Sequence, residues 1–302
     1  MFTIDQQRPW LLLWLTIGLT FIYSGASFGQ WGIGLEALEE VEDLPQYRAG
    51  VLGYQVSSAD FRGGDDDGSG YLYREDSLYV IFDQEGPGCV YRIWVRNTLT
   101  APGRQIKLFF DDEVFPSIST TVQVFFSGFY GTFLTPLTGN GLVSSGGNYC
   151  YTPLPFEKHL KIALVGGVEP HQVSYQVFPP DTPVETYSGE YPLAVLQQWQ
   201  STGSDPKDPM GNITTSGSCN FAPGQTHTLL SLSSTGSISG IRLIPNPTTL
   251  SLLQSLRLRF YWDNSATPQV DCSFGSFFGT SLGLTDIDGL LTGVDDSEFY
   301  CY

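Results

Sequence analysis

Apolar and β-branched residues recur along this chain in short runs, and Gly, Pro, Asn or Asp residues separate one run from the next. Runs of this length between turn-forming residues are typical of antiparallel strands. The pattern predicts strands over 71–82, 89–95, 107–110, 122–126 and 160–165, and again over 227–232, 238–245, 255–261 and 269–274. We therefore predict an all-β fold in which antiparallel sheets pack as jelly-roll sandwiches.

Two segments have helical spacing instead. Residues 33–45 and 191–199 carry apolar side chains three to four positions apart, and a proline lies at the end of the first segment and near the start of the second. Proline is tolerated in the first turn of a helix but not in its interior. The sequence thus predicts two short helices beside the strands.

One stretch of the chain is repeated. Asp111 and Pro116 return as Asp263 and Pro268, both 152 residues later, within similar aromatic surroundings. The sequence Tyr-Cys-Tyr around Cys150 also returns around Cys301, at an offset of 151. Constant anchors with a slightly drifting offset are expected from two copies of one domain whose loops differ in length. We expect a tandem duplication whose second jelly roll is incomplete, because the Pro-Leu-Pro-Phe segment after the first copy has no counterpart after the second.

These observations divide the chain into four segments. An apolar run from Trp10 to Tyr23, followed by small residues, has the layout of a secretory signal. We predict a signal peptide over 1–29, a first jelly roll with its helix over 30–182, a helix and linker over 183–224, and a truncated second jelly roll over 225–302. Secretion, or a cell-surface or periplasmic location, is the corresponding expectation.

Composition limits the partners. The chain has 14 basic and 31 acidic residues, a net charge of −17, which disfavours nucleic acid and anionic membranes. No membrane contact beyond the signal segment is expected. The five cysteines lack metal-binding spacing, and Cys150 and Cys301, flanked by aromatic residues, are interpreted as small buried core residues.

The segment with the most candidate ligand-binding side chains is an acidic, glycine-rich loop over 57–70. Its carboxylates could accept hydrogen bonds from sugar hydroxyls, and the candidate residues are Asp60, Asp65, Asp66 and Asp67. Alternatively, Asp65, Asp67, Ser69 and Asp76 have the spacing of a calcium loop, which would make Ca²⁺ a bound cofactor. The third interpretation is a solvated acidic turn.

Two other groups of residues have competing interpretations. Trp94 and Trp262 could stack on sugar rings, but each lies in a predicted strand between apolar neighbours, which favours packing in the core. Asp111, Asp112 and Asp263 lie just beyond strand ends, where Asp commonly stabilises turns. We interpret these three as turn residues.

Several motifs occur together in one order. Ser57-Ser58-x-Asp60, Gly63-Gly64-Asp65-Asp66-Asp67-Gly68, Gly86-Pro87-Gly88 with Arg92-Ile93-Trp94, and Tyr149-x-Tyr151-x-Pro153-x-Pro155-Phe156 resemble the signatures of glycoside hydrolase family 172. The second half is similar in the same way at Tyr261-Trp262-Asp263. Phe61 and Asp65 depart from the family, which has Arg and Asn there.

The resemblance implies two jelly rolls, assembly as trimers or higher rings, and a carbohydrate ligand bound at a subunit interface. It also implies a retaining mechanism on fructofuranosides or α-D-arabinofuranosides, which requires two carboxylates. The family's glutamates lie in Gly-Thr-x-x-Glu-Asp-Tyr and Ile-Glu-His-Gly motifs, and this sequence contains neither. We therefore expect a secreted carbohydrate-active protein related to retaining furanosidases. The alternative is a non-catalytic carbohydrate-binding or trimeric surface protein on the same scaffold.

Overall fold

The computed structural model describes residues 31–96, 103–144, 146–209, 211–220 and 222–302. The predicted signal peptide, 1–29, lies outside these residues. The prediction of an all-β fold is confirmed, since most regular structure is antiparallel strand and 11% of the chain is helical. In the part of the chain that the structure describes, no helix is long and apolar enough to cross a membrane.

The described residues of the first half form thirteen strands and three α-helices. In chain order they are α1 (Glu36–Glu39), β1 (Leu52–Ser57), β2 (Tyr73–Glu75), β3 (Leu78–Glu85), β4 (Gly88–Arg96), β5 (Gln105–Phe110), β6 (Ile118–Thr121), α2 (Val122–Phe125), β7 (Phe129–Tyr130), β8 (Phe133–Leu134), β9 (Thr138–Gly139), β10 (Gly147–Cys150), β11 (Leu154–Phe156), β12 (His159–Val165), β13 (His171–Val177) and α3 (Leu193–Trp199).

Two sheets form a sandwich. One has the order β1-β13-β4-β10-β9, with β11 also paired to β4, and the other has the order β2-β3-β12-β5-β6. Alternate residues of each strand point between the sheets, where Ile81, Ile93, Leu108, Ile162 and their neighbours form one buried cluster. The interior is therefore shared by strands that are distant in sequence, as in a jelly roll.

One predicted strand is wrong. Residues 122–126 are apolar and β-branched enough to suggest a strand, but α2 occupies Val122–Phe125. The hydroxyl of Thr121 accepts a 3.2 Å hydrogen bond from the backbone N–H of Val124, which starts a helical turn directly after β6. Phe125 and Phe126 then both lie in the core, an arrangement that consecutive strand residues on opposite faces do not allow.

The two predicted helices are present. The first is shorter than predicted, because α1 is followed after Glu40 by a separate 3₁₀ turn, Val41–Asp43. The second, α3, buries Val195 and Leu196 against Leu35, Leu38 and the first sandwich. The prediction of two helices was too low, since the described chain contains five short ones.

The second half contains five strands and two helices. They are β14 (Ile241–Leu243), α4 (Leu250–Ser255), β15 (Arg257–Phe260), β16 (Val270–Ser273), α5 (Phe274–Phe277), β17 (Thr292–Asp295) and β18 (Glu298–Cys301). β15 pairs with β16, and β18 lies between β14 and β17. A smaller core forms around Leu253, Phe274, Phe278 and Phe299.

The duplication is visible in the backbone. Ser273 accepts a hydrogen bond from the N–H of Ser276 and starts α5, as Thr121 starts α2, 152 residues earlier. The turns after β5 and β15 both place two consecutive residues at positive φ, Asp111 with Asp112 and Asp263 with Asn264. The two copies thus share a strand, a turn, a second strand and a helical turn.

One strand prediction for the second copy is wrong, since residues 227–232 form no strand. The strand predicted over 255–261 is present but shorter, because α4 ends at Ser255 and β15 spans Arg257–Phe260. In the first copy the equivalent of 227–232 is β3, which pairs with the central strand β12. No strand among the described residues takes the place of β12 in the second copy, so strand propensity alone does not produce a strand there.

Candidate functional site

The acidic loop joins β1 to β2 and is anchored at its first residue. The backbone N–H of Ser58 donates to the carbonyl of His171 at 3.1 Å, and the N–H of His171 donates to the Ser58 hydroxyl at 2.9 Å. Gly70 returns the chain to this point, because a Cβ there would lie 2.8 Å from the Ser58 carbonyl oxygen. The loop therefore leaves and rejoins the sandwich beside a buried residue of β13.

His171 is a neutral part of this anchor. Its side chain is buried, and burial lowers its pKa to about 4. Nδ1 lies 2.8 Å from the carbonyl oxygen of Glu169, an arrangement in which Nδ1 carries the proton and donates it. The imidazole thus supports the turn under the loop and carries no charge at neutral pH.

Asp60 shapes the loop with its own carboxylate. Its two oxygens accept hydrogen bonds from the N–H groups of Arg62 and Gly64, at 2.9 and 3.1 Å. Gly63 has φ +79°, and a Cβ on Gly64 would lie 2.5 Å from the Asp60 carboxylate. The two glycines therefore allow the backbone to wrap around Asp60.

The other three aspartates of the loop differ in their contacts. Asp67 Oδ1 accepts a 2.8 Å hydrogen bond from the backbone N–H of Asp60 and closes the loop. Asp65 and Asp66 are exposed, and their carboxylates make no hydrogen bond with the described residues. All four predicted residues thus lie in one loop, in which Asp60 and Asp67 accept hydrogen bonds and Asp65 and Asp66 extend into solvent.

The calcium alternative gains no support. Asp76 lies in the turn between β2 and β3, so strand β2 separates it along the chain from Asp65, Asp67 and Ser69. Among the residues that the structure describes, no group of three or more His, Cys, Asp or Glu side chains is arranged to hold a metal ion. In a calcium loop, the acidic residue at the twelfth position coordinates the same ion as the ligands at the first positions.

Trp94 lies on the outer face of the sandwich. Its neighbours Ile93 and Val95 are buried between the sheets, so Trp94 points the other way and is half-buried. Its indole crosses Gly147, where a Cβ would lie 1.9 Å from Nε1. Packing in the core, the favoured interpretation from the sequence, is therefore wrong for Trp94. It is also wrong for Trp262, whose side chain is 44% exposed.

The sheet register relates Trp94 to the loop. Ser57, the last residue before the loop, pairs with Gln172, and Gln172 pairs with Trp94. Neighbouring strands are about 4.8 Å apart, so the backbone at Trp94 lies roughly 10 Å from the start of the loop. An aromatic side chain and exposed carboxylates thus occur at the same end of one sheet.

Sequence reasoning missed a second polar cluster, on the outer face of the other sheet. His159 Nε2 lies 2.5 Å from Asp83 Oδ1, His159 Nδ1 lies 3.4 Å from Asp112, and the hydroxyl of Tyr73 donates to Asp83. These residues come from three strands and a turn far apart in the sequence. No local motif marks them, and only the pairing of β12 with β3 and β5 assembles them.

Asp111 is a turn residue, as predicted, but it also ties two segments together. Its carboxylate accepts hydrogen bonds from the N–H groups of Lys158 and His159, at 2.8 and 3.2 Å, and from the hydroxyl of Thr186. Partial burial acts to raise the pKa of this carboxyl, but these hydrogen bonds outweigh burial and the pKa is lowered. Asp111 therefore remains ionised and holds the turn against the start of β12.

Of the cysteines, Cys150 confirms the sequence interpretation and Cys301 does so only in part. Cys150 is buried in the first core, whereas Cys301 is half-buried, and both thiols are free. Burial raises the pKa of the Cys150 thiol to about 11. Cys150 is thus an unreactive packing residue at neutral pH.

These features define a class of protein with a β-sandwich, a second β unit that repeats part of it, and an acidic loop beside an aromatic side chain on the sandwich. Two family models match this organisation: the GH172 first β-sandwich domain over residues 49–193 and the GH172 domain-like model over residues 211–302. The chain belongs to the GH172 family, a family of carbohydrate-active proteins. No curated protein matches the chain closely enough to be informative.

Proposed function

We propose that this chain is a secreted carbohydrate-active protein that recognises furanosides, of the fructofuranoside or arabinofuranoside type, through its acidic loop. The observation that supports this proposal is that the four aspartates of the loop differ in their hydrogen bonds. The carboxylates of Asp60 and Asp67 accept hydrogen bonds from the loop backbone, whereas those of Asp65 and Asp66 are exposed and accept none from the described residues. Ionised carboxylates accept strong hydrogen bonds from sugar hydroxyls, and fixing them on a closed loop reduces the entropy lost on binding.

Trp94 extends the same surface. A half-buried indole on the outer face can cover the apolar face of a sugar ring while the carboxylates take its hydroxyls. Gln172, the cross-strand neighbour of Trp94, accepts a 2.7 Å hydrogen bond from Arg92. The surroundings of Trp94 are therefore polar and ordered. Furanoside recognition by Asp65, Asp66 and Trp94 is the residue-level form of the proposal.

Hydrolysis or transfer with retention would require a carboxyl acid and a carboxylate nucleophile roughly 5 Å apart. A general acid needs a raised pKa, and Glu39 has one, through burial and then the charge of Glu36. Glu39 lies on α1, however, and not beside the loop. In this proposal the first jelly roll supplies the sugar contacts, and a trimer or higher ring brings a further subunit to the site.

A second function is carbohydrate binding without turnover, which requires no catalytic glutamates. The sequence contains neither the Gly-Thr-x-x-Glu-Asp-Tyr nor the Ile-Glu-His-Gly motif that the resemblance associates with catalysis. A binding protein on this scaffold would use the same loop and Trp94. The two functions therefore differ in turnover and not in the residues that contact sugar.

One experiment separates them. The full chain is incubated with p-nitrophenyl α-D-arabinofuranoside and with fructo-oligosaccharides, and binding is measured in parallel by calorimetry. Release of product supports the enzyme, and binding without release supports the binding protein. If the chain neither releases product nor binds, both functions are contradicted. Replacing Asp65 and Asp66 together by Asn is expected to weaken binding about tenfold or more, whereas Asp181→Asn, at an exposed position elsewhere, leaves it unchanged.

A further inference from the structure

Four residues on the outer face of the six-stranded sheet lie in one row across its strands. Ser57 of β1 pairs with Gln172 of β13, Gln172 pairs with Trp94 of β4, and Trp94 pairs with Tyr149 of β10. Neighbouring strands are about 4.8 Å apart, so the row is roughly 15 Å long. It begins where the acidic loop leaves the sheet and continues past Trp94 to Tyr149.

Tyr149 points away from the core. Its neighbours in β10, Asn148 and Cys150, are buried, so Tyr149 faces outwards, where it is half-buried. Its ring lies across Gly139 of the adjacent strand β9, because a Cβ on Gly139 would be 2.6 to 2.8 Å from the phenol hydroxyl, Cζ and Cε1. Trp94 lies across Gly147 of β10 in the same way. Two aromatic rings therefore lie on the surface of one sheet, each over a glycine of the next strand.

The two rings cover different positions on the sheet. Gly147 precedes Tyr149 by two residues on β10, whereas Gly139 lies directly opposite Tyr149 on β9. With a rise of about 3.4 Å per residue and strands about 4.8 Å apart, the two glycines are roughly 8 Å apart. This separation is too large for both aromatic rings to stack on one furanose ring. It suits two rings of the same sugar chain.

The second copy shows what a structural tyrosine does at the equivalent position. Tyr300 follows Tyr149 at the same offset of 151 as Cys301 follows Cys150. Tyr300 is buried, and its hydroxyl donates a 2.7 Å hydrogen bond to the carbonyl of Gly289. The Tyr149 hydroxyl makes no hydrogen bond with the described residues, and it is accessible to solvent. It is therefore available to donate to a ligand and to accept from one.

We propose that Trp94 and Tyr149 form an aromatic platform that binds successive rings of one furanoside oligosaccharide, so that Tyr149 selects sugar chains over single sugars. The ligand class rests on the proposed function, and the platform rests on the row of paired residues and the two rings. A sugar ring packs its apolar face on an aromatic ring and exchanges hydrogen bonds through its hydroxyls, for which the Tyr149 hydroxyl is a partner. The acidic loop holds one end of the chain, and Tyr149 holds a ring farther along it.

The first test compares ligands of different length. Calorimetry with methyl α-D-arabinofuranoside and with arabinofuranosyl oligosaccharides of two to four rings gives Kd, or KM is measured where the chain turns the sugar over. We expect the four-ring ligand to bind at least about tenfold more tightly than the single ring, since each stacked ring adds affinity of this order. Equal affinities would overturn the platform and leave the proposed function intact. A lack of binding to every ligand, repeated with methyl fructofuranoside and fructo-oligosaccharides, would overturn both.

The second test assigns the length preference to Tyr149. Tyr149→Leu keeps an apolar side chain over Gly139 and removes the aromatic ring. It should weaken binding of the four-ring ligand about tenfold and leave binding of the single ring unchanged. Phe115→Ala is the matched control, because Phe115 is also an outward aromatic residue, 82% exposed, but lies in the turn between β5 and β6 of the other sheet. This variant should retain the preference for the longer ligand.

Melting temperatures and the single-ring ligand separate binding from folding. If Tyr149 served only the fold, Tyr149→Leu would lower the melting temperature and weaken binding of both ligands in the same proportion, which would contradict the proposal. An unchanged ratio of the two affinities in a variant that melts normally would contradict it as well. Tyr149→Phe keeps the ring and loses the hydroxyl, and it should retain more of the length preference than Tyr149→Leu.

Discussion

The backbone N–H of Asp60 donates a 2.8 Å hydrogen bond to the carboxylate of Asp67, and this contact closes the acidic loop across seven residues. Each of the two residues therefore has a structural task, and Asp60 adds two further hydrogen bonds to Arg62 and Gly64. Loss of the closing bond should open the loop without affecting the core.

We expect Asp67→Ala to raise the rate of hydrogen exchange at the Asp60 amide and to increase proteolytic cleavage within 58–70. Asp67→Asn retains an oxygen acceptor and should exchange at a rate close to that of the unaltered chain. Asp65→Ala is the control, because its carboxylate holds nothing within the loop. Equal exchange in Asp67→Ala and the unaltered chain would show that the bond does not close the loop in solution.

The contact between Trp94 and Gly147 predicts that substitutions at these two positions have non-additive effects on stability. A Cβ on residue 147 would overlap the indole, so Gly147→Ala must displace Trp94 and should destabilise the fold by about 1 to 3 kcal/mol. In a Trp94→Leu background the same change should cost clearly less. Urea denaturation of the four proteins of this cycle measures the difference, and additive effects would contradict the contact. Gly53→Ala, at an open position, controls for the effect of alanine in a strand.

Asp111 predicts a dependence of stability on pH. Its pKa is lowered in the folded state, so its hydrogen bonds stabilise the fold above the pKa of an unfolded aspartate, about 4, and are lost as the pH falls through the folded value. We expect Asp111→Asn to be less stable than the unaltered chain at pH 7, by about 1 to 3 kcal/mol, with the difference shrinking below pH 4. Asn tolerates the positive φ of 46° at this position, so the turn itself is retained.

Asp112→Asn is the matched control for this experiment. Residue 112 also has positive φ, but its side chain is 73% exposed and reaches only His159. Urea denaturation at pH 7, 5, 4 and 3 should therefore distinguish the two variants. If the stability of both variants had the same dependence on pH, the hydrogen bonds to Asp111 would not be the source of the pH effect.

His171 predicts a second pH effect, at higher pH. Burial lowers its pKa to about 4, whereas an unfolded histidine has a pKa near 6.5. As the pH falls from 6.5 to 4, the unfolded chain binds a proton that the folded chain does not, and stability decreases. His171→Asn keeps a side-chain N–H for the Glu169 carbonyl and does not titrate. Its stability should change less over this window, and melting temperatures at pH 7, 6, 5 and 4.5 provide the measurement.

The N-caps offer a comparison between the two copies. Thr121→Ala and Ser273→Ala each remove one hydrogen bond to the first turn of a short helix, and each should cost about 1 kcal/mol. Ser119→Ala, at an exposed position of β6, controls for the loss of a hydroxyl. Melting temperatures that fall for both cap variants and not for the control would confirm that the repeated helical turns are capped alike. No change in either variant would contradict it.

The sequence by itself determined what depends on local pattern and on repetition. Strand-length apolar runs, glycine-rich turns and the repeat at Asp111 and Asp263 were sufficient for the all-β class, the duplication and the position of the acidic loop. The order of its motifs was sufficient for the family. These signals are local, because turn chemistry and alternation are written in consecutive residues.

Only the tertiary structure decided how those elements are used. The apolar run at 122–126 became a helical turn because Thr121 caps it, and residues 227–232 formed no strand although their local pattern predicts one. Trp94 faced outwards, and the carboxylates of Asp60 and Asp67 were used in hydrogen bonds within the loop. Each outcome depends on contacts between residues distant in the chain, since packing and hydrogen-bond satisfaction are decided by neighbours in space and not in sequence.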